Sequence, residues 1–196
     1  MRKLLKLIAS AAGWVIAAPV AYFVKWTASL DPNSSLFQSG SQLVSLFPGL
    51  LGNYVRRSFY RIVLENPPEG LVVEFGTIFA QRGSEIGNNV YIGAFCIVGL
   101  SRIGDDVLIG SNVNLVSGKR VHYFDRADKP IRLQGGELRK ISIGSNSWLG
   151  NKAVVMADVG PGCVIGAGAV VTSTCEPDQI YGGNPARLIR GRIRDD

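Results

Sequence analysis

The 196-residue chain contains a single histidine, His122. An imidazole that titrates near neutrality is the side chain best suited to general-base work. Such a base works better when an acceptor fixes its tautomer, and Asp125, Asp128 and Glu137 follow closely. One histidine excludes any mechanism that needs two per chain, including a three-histidine zinc site within one subunit. No metal is expected. Three cysteines, Cys96, Cys163 and Cys175, are an odd number with no CxxC pair. They argue against a disulfide framework or zinc ribbon and read as packing residues.

The elements that must position His122 repeat every six residues. Aliphatic residues recur at Ile86, Ile92, Val98, Ile103, Ile109, Leu115 and Val121, and again at Ile143, Leu149, Val155, Val159, Ile165 and Val171. Nine of these thirteen are followed by glycine, as in Ile86-Gly87 and Ile143-Gly144. Small or β-branched residues fill the fifth position of each hexad, the three cysteines among them. This period predicts a parallel β-helix whose aliphatic residues stack inward, with glycine serving corners closed to larger residues. Residues 122–140 break the period with charges, aromatics and Pro130, and read as an extruded functional loop with His122 at its lip.

The hexads, Gly136-Glu137-Leu138, Trp148-Leu149-Gly150 and Gly182-Gly183-Asn184-Pro185-Ala186-Arg187 resemble the hexapeptide-repeat acyltransferase family over roughly residues 75–190. The likeness is greatest to maltose, galactoside and polysaccharide O-acetyltransferases. It implies a left-handed β-helix, a homotrimer with sites between subunits, and acetyl-CoA as co-substrate. It also implies direct acetyl transfer to a sugar hydroxyl, with His122 as base and Glu137 as its orienting partner. The oxyanion donor falls at Gly150 or Asn151, and Trp148 beside the pantetheine arm or the acceptor. The coenzyme groove falls along Gly166, Ala167, Gly168 and Thr172, then Asn184, Pro185, Ala186 and Arg187. Arg187 and Arg190 are expected to pair with phosphate. Two positions depart from the family. Gly93 stands where an acceptor-side asparagine is usual, and Ser173 where a lysine is frequent. The first keeps serine or an amino sugar open as the acceptor of an N- or O-acyltransferase of the same fold, and an inactive membrane-docked scaffold is a third reading.

Three segments are expected: a hydrophobic and amphipathic helical region over 1–65, the β-helix over 66–183, and a coenzyme-binding segment with a basic tail over 184–196. Residues 7–24 are 18 consecutive uncharged residues flanked by Arg2, Lys3, Lys6 and Lys25. A membrane anchor, spanning or re-entrant, is preferred over a packed helix or a cleaved signal peptide. Residues 28–42 read as a polar connector. Past Pro48, apolar residues at helical spacing with Arg56, Arg57 and Arg61 between them suit either a membrane-surface helix or a cap on the β-helix. The net charge of +6 lies wholly in residues 1–62, which hold seven basic residues and one acidic; residues 63–196 hold fourteen of each. That asymmetry points to an anionic membrane surface and away from nucleic acid. The cytoplasm, at the inner face of the membrane, is the expected location.

Overall fold

The computed structural model describes residues 2–30, 35–66 and 68–193. Three helices open the chain: α1 (Arg2–Leu30), α2 (Leu36–Ser45) and α3 (Gly49–Val63). Two- and three-residue strands then wind in triangular coils. The first coil holds β1 (Val72–Val73), β2 (Ile78–Phe79) and β3 (Glu85–Ile86). The second holds β4 (Tyr91–Ile92), β5 (Ile97–Val98) and β6 (Ser101–Ile103), and the third β7 (Leu108–Ile109), β8 (Asn114–Leu115) and, beyond the loop, β9 (Ile141–Ile143). β10 (Trp148–Leu149), β11 (Val154–Val155), β12 (Val164–Ile165) and β13 (Val170–Val171) continue two faces. Single bridges at Val159 and Cys175 continue the third. β14 (Gln179–Gly182) and β15 (Arg187–Gly191) close the top.

Parallel pairing joins each strand to its equivalent one coil away, giving faces β1-β4-β7-β10-β12-β14 and β2-β5-β8-β11-β13, and a third β3-β6-β9. Every aliphatic of the predicted series is buried except Val121. The stack also begins a coil earlier than the period shows, at Val73 and Phe79. A seven-residue step from Phe79 to Ile86 hides that coil from a strict six-residue count.

The glycines have a different reason from the one predicted. Those after the aliphatic positions carry no left-handed backbone. They are small because the next coil lies directly over them: a Cβ at Gly144 would meet Pro161 N at 2.2 Å, and one at Gly93 the Gly110 carbonyl carbon at 2.6 Å. The left-handed conformation falls two residues later, at Asn89, Phe95, Asp106, Asn112, Asn146, Lys152, Gly162 and Gly168. Asparagine, aspartate and glycine tolerate that region best, and they hold most of these corners. Gly144→Ala is therefore expected to cost about 1–3 kcal/mol as the coils are forced apart. Gly83→Ala meets only the flexible Leu100 Cδ1 at 3.2 Å and should leave the urea midpoint nearly unchanged. Equal midpoints for the two variants would refute the close-approach account.

Val121 is corrected: it is half-buried in a bend outside the stack. Gly118, at φ +91°, turns the chain outward, and Ile141–Ile143 takes the third-face place instead. The loop is rooted where the Arg139 N–H donates to the Ser117 carbonyl (2.8 Å). It therefore spans about 117–140, wider than predicted, and His122 sits within its first leg. The returning leg is pinned by Glu85, which accepts from Arg102 Nε (2.6 Å) and Lys140 Nζ (2.5 Å). Those bonds, Arg102's first, pull the Glu85 carboxyl down to about 2 from its ordinary 4.5. A folded value below the unfolded one means stabilisation present above about pH 4.5 and lost as pH falls toward 2. The thermal midpoint of Glu85→Gln should accordingly fall less across that window than the parent's. Parallel acid limbs would show that the pair contributes nothing.

The predicted connector at 28–42 is also corrected. α1 runs on to Leu30, and α2 occupies most of the remainder. Its polar residues serve the interface. Gly40 lets the helices approach, with a Cβ there only 2.9 Å from Val24 Cγ2. Ser41 Oγ bonds the Tyr60 hydroxyl (2.7 Å) and accepts from Phe79 N–H (2.8 Å). The helices cap the open end of the β-helix, and one continuous buried core runs from Ala17 to Ala186. Of the two readings of α3, the cap on the β-helix is the one Arg56 serves: it is fully buried. It donates to the carbonyls of Val73 (2.7 Å) and Phe47 (2.6 Å), fastening α3 to the first coil.

Candidate active site

The loop is a two-legged arm. Its legs are tied by Glu137 N–H to the Arg120 carbonyl (2.8 Å) and Tyr123 N–H to the Gly135 carbonyl (3.0 Å). Gly136 lies against the first leg, where a Cβ would stand 3.1 Å from His122 Cα. The imidazole is thus carried on a braced strand and is solvent-exposed. His122 and Glu137 lie on facing legs, with no hydrogen bond between them among the described residues.

The three candidate orienting carboxylates are not equivalent. Asp125 is engaged by Arg120 (3.4 Å), whose guanidinium also lies 5.0 Å from the centre of the Tyr123 ring. Asp128 is engaged by Arg126, which holds its carboxyl below the ordinary range. Glu137 alone of the three has no ion pair among the described residues. It shares a cleft of about 240 Å³ with Lys119, Arg120 and Arg139. Those cations were not singled out from the sequence. Their signal was the basic run Lys119-Arg120 ahead of the histidine, and its meaning depended on Arg139 returning beside it.

A second group of residues lies along one edge of the β-helix, where the first face turns into the second. Trp148 is half-exposed on the first face, in register with Leu108 and Val164. At this edge two corner N–H groups are capped by a side chain from the next coil. Ala94 N–H donates to Ser111 Oγ (3.2 Å), and Ser111 N–H to Asn151 Oδ1 (2.9 Å). The next residue in that row is Ala167, which has no acceptor. The Asn151 N–H is consequently left without a partner among the described residues. The Gly150 N–H donates to the Ile165 carbonyl (2.7 Å). Of the two predicted oxyanion donors, only Asn151 is free to act.

Above this corner Gly166 N–H is bonded to the Tyr181 carbonyl (2.8 Å), and Ala167 and Gly168 are exposed. Nothing lies within 4 Å of a Cβ placed on Gly168. Thr172 follows, half-buried. The segment Asn184-Pro185-Ala186 is laid across β13: Ala186 N–H donates to the Val170 carbonyl (2.8 Å), and Val170 N–H to that of Gly183 (3.0 Å). The Asn184–Pro185 peptide is cis. Arg187 and Arg190 are exposed on β15 and bond only backbone carbonyls. The expected basic tail is therefore partly a strand. Arg192 is anchored to the Gly162 carbonyl (2.9 Å), and Arg194 lies outside the described residues.

The structure thus places Trp148, Asn151, Ala167 and Gly168 along one edge, Thr172 at the far end of β13, Arg187 and Arg190 on β15, and His122 and Glu137 on the arm, with no described contact between the arm pair and the others. At Gly93 a side chain has no room, so the acceptor-side asparagine has no equivalent there. The cysteines are free and buried. Burial pushes the Cys175 thiol up to about 12, far from a thiolate nucleophile at neutral pH.

Residues 140–173 match the family model described as bacterial transferase hexapeptide (six repeats). Over 93 residues the chain is 41% identical to galactoside O-acetyltransferase of Escherichia coli, covering 45% of this chain and 42% of that enzyme. The chain spans less than two thirds of the length of the curated relatives it matches, for example 55% for an acetyltransferase of Schizosaccharomyces pombe, at 34% identity. Among solved structures, a maltose O-acetyltransferase from Clostridium difficile superposes with TM-score 0.67 at 24% identity, covering 81% of this chain and 87% of that one. That likeness agrees with the left-handed β-helix expected from the resemblance. The six-residue stack and the edge it builds go with these similarities: the chain is similar to hexapeptide-repeat acetyltransferases and shares their fold.

Proposed function

We propose that the protein is an acetyl-CoA-dependent O-acetyltransferase acting on a sugar hydroxyl of a polysaccharide or its lipid-linked precursor. The acceptor oxygen attacks the thioester carbonyl while His122 takes its proton. The C–S bond then breaks, and the departing thiolate recovers that proton from the imidazolium. Glu137 orients the imidazole. The Asn151 N–H meets the negative charge that builds on the thioester oxygen. Coenzyme A lies along Gly166, Ala167, Gly168 and Thr172 beside Trp148, crosses Asn184-Pro185-Ala186, and reaches Arg187 and Arg190 with its phosphates. The arm of one subunit serves the coenzyme edge of the next in a homotrimer, which supplies the missing contact between the two groups. The assembly works at the inner face of the membrane.

The observation that carries this reading is the uncapped Asn151 N–H, a free donor on the edge that also holds the open Gly168 corner. The test is thiol release from acetyl-CoA with a panel of sugar acceptors, read beside amine acceptors at equal concentration. The buried cysteines keep the protein's own thiols out of that readout. Release with hydroxyl acceptors supports the assignment. Release with amines alone would favour N-acyl transfer, the reading that the closed Gly93 position keeps open. Absence of acetyl-CoA binding at millimolar concentration would favour a scaffold.

A further inference from the structure

α1 is the one described helix long and apolar enough to cross a membrane, with mean hydropathy 1.9 in the most apolar 18-residue window of Lys6–Leu30. Only 28% of its most apolar window is buried. Two opposite faces account for this. Ala17, Ala21 and Val24 are packed into the core, and Gly13 meets α3 so closely that a Cβ there would lie 2.7 Å from Tyr54 Cβ. The other face presents Leu4, Ile8, Val15, Tyr22 and Trp26 in one exposed stripe. Val15 is 65% exposed and Trp26 59%. The apolar surface continues past Phe23 across a groove to Leu43 on α2, and Leu46 and Leu50, in and after the turn that follows, are exposed as well. A water-facing surface of this extent has no place on an isolated soluble protein.

We infer that this platform lies in the plane of one leaflet of an anionic bilayer, with α1 as a monotopic helix that does not span it. The inference deepens the membrane side of the proposed function and makes no use of acetyl transfer. Charge selects the occupant: the excess of cations resides in the first 62 residues, and although Arg56 is sealed in the core, Lys6, Lys25 and Arg61 are exposed there. Arg57 borders a cleft with Leu50, and its buried Nε has no hydrogen-bond partner among the described residues. Packing excludes spanning. To cross, α1 would have to leave its seat on α3 or carry Arg57, Arg61 and the buried Arg56 into hydrocarbon. An apolar face with cations at its margins is the pattern of an interfacial helix. Two rungs separate β1 from β7, so the His122 arm leaves the β-helix roughly 10 Å above the capped end.

Full-length protein, without acetyl-CoA or acceptor, is sedimented with phosphatidylcholine vesicles and with vesicles containing phosphatidylglycerol. Binding is expected with the anionic vesicles. The double variant Val15→Glu, Trp26→Glu should lower partitioning by about tenfold or more, with circular dichroism and thermal midpoint unchanged. Unaltered binding by that variant, or no binding by the parent, overturns the inference. So does a change of oligomer mass in the variant without vesicle binding by the parent, because the face would then meet a second copy. Depth is read by brominated-lipid quenching in a Trp148→Phe background, with Trp14 or Trp26 as sole tryptophan. An in-plane helix keeps both in one leaflet, their depths differing by less than the helix diameter of about 10 Å. A spanning helix separates them by roughly 18 Å, and that result also overturns the inference. These outcomes are independent of thiol release, so either reading can fail alone.

Discussion

Replacement of His122 by alanine is expected to lower turnover by about 10²- to 10⁴-fold, the span usual for loss of a positioned general base. The side chain is exposed and makes no hydrogen bond among the described residues, so its removal should leave the urea midpoint unchanged. Acetyl-CoA binding should also survive, because the residues assigned to the coenzyme lie on the β-helix and β15 and not on the arm. The measurement is thiol release at saturating acetyl-CoA, with calorimetric titration of the coenzyme beside it. Full activity in the alanine variant would remove His122 from the chemistry. A loss of coenzyme affinity with unchanged turnover at saturation would move it into binding.

Arg56→Ala is expected to produce the largest loss of stability, about 3–5 kcal/mol. The guanidinium is fully buried, and burial pulls it below its ordinary value, an effect partly offset by Glu74. Compensation runs through Asn53, which accepts from Arg56 Nη2 and donates to Glu74 Oε1 (2.9 Å). Removing the side chain strands the carbonyls of Val73 and Phe47 without donors and leaves Glu74 without its countercharge. The seam between α3 and the first coil should open first. Arg56→Lys keeps the charge but loses the planar fork, and should fall between the two. Urea denaturation measures all three proteins. A midpoint for Arg56→Ala corresponding to under about 1 kcal/mol of loss would refute this anchoring role.

Most of the β-helix was legible because its period is a local property. Each aliphatic must stack on the one a coil away, so the order Ile86, Ile92, Val98 is itself the register. What escaped was whatever involved the coil above. Glycine after each aliphatic was legible as a pattern, but its cause is the backbone overhead at Pro161 or Gly110. The left-handed corner two residues later was not separated from it. The N-terminal region was less legible. Ser41 and Gly40 looked like linker residues because their partners, Tyr60 and Val24, are distant in sequence or on another helix. Arg56 and Arg61 look alike in a list of cations, yet one is sealed in the core and the other faces water.

The candidate site divides in the same way. A lone histidine beside an interruption in the repeat was readable directly, as was the segment Asn184-Pro185-Ala186-Arg187. The choice among Asp125, Asp128 and Glu137 was not. It depends on which arginine the folded arm brings to which carboxylate.

By itself the sequence determined the six-residue winding, the single candidate base and the confinement of excess charge to the first 62 residues. Composition and period carry these, and neither needs a distant partner. Tertiary structure alone decided that Gly150 spends its N–H while Asn151 keeps its own, that Glu137 is the unengaged carboxylate, and that α1 shows one face to the core and the other outward. Each of these turns on what lies opposite a group in space, and a donor is free or spent only with respect to that neighbour.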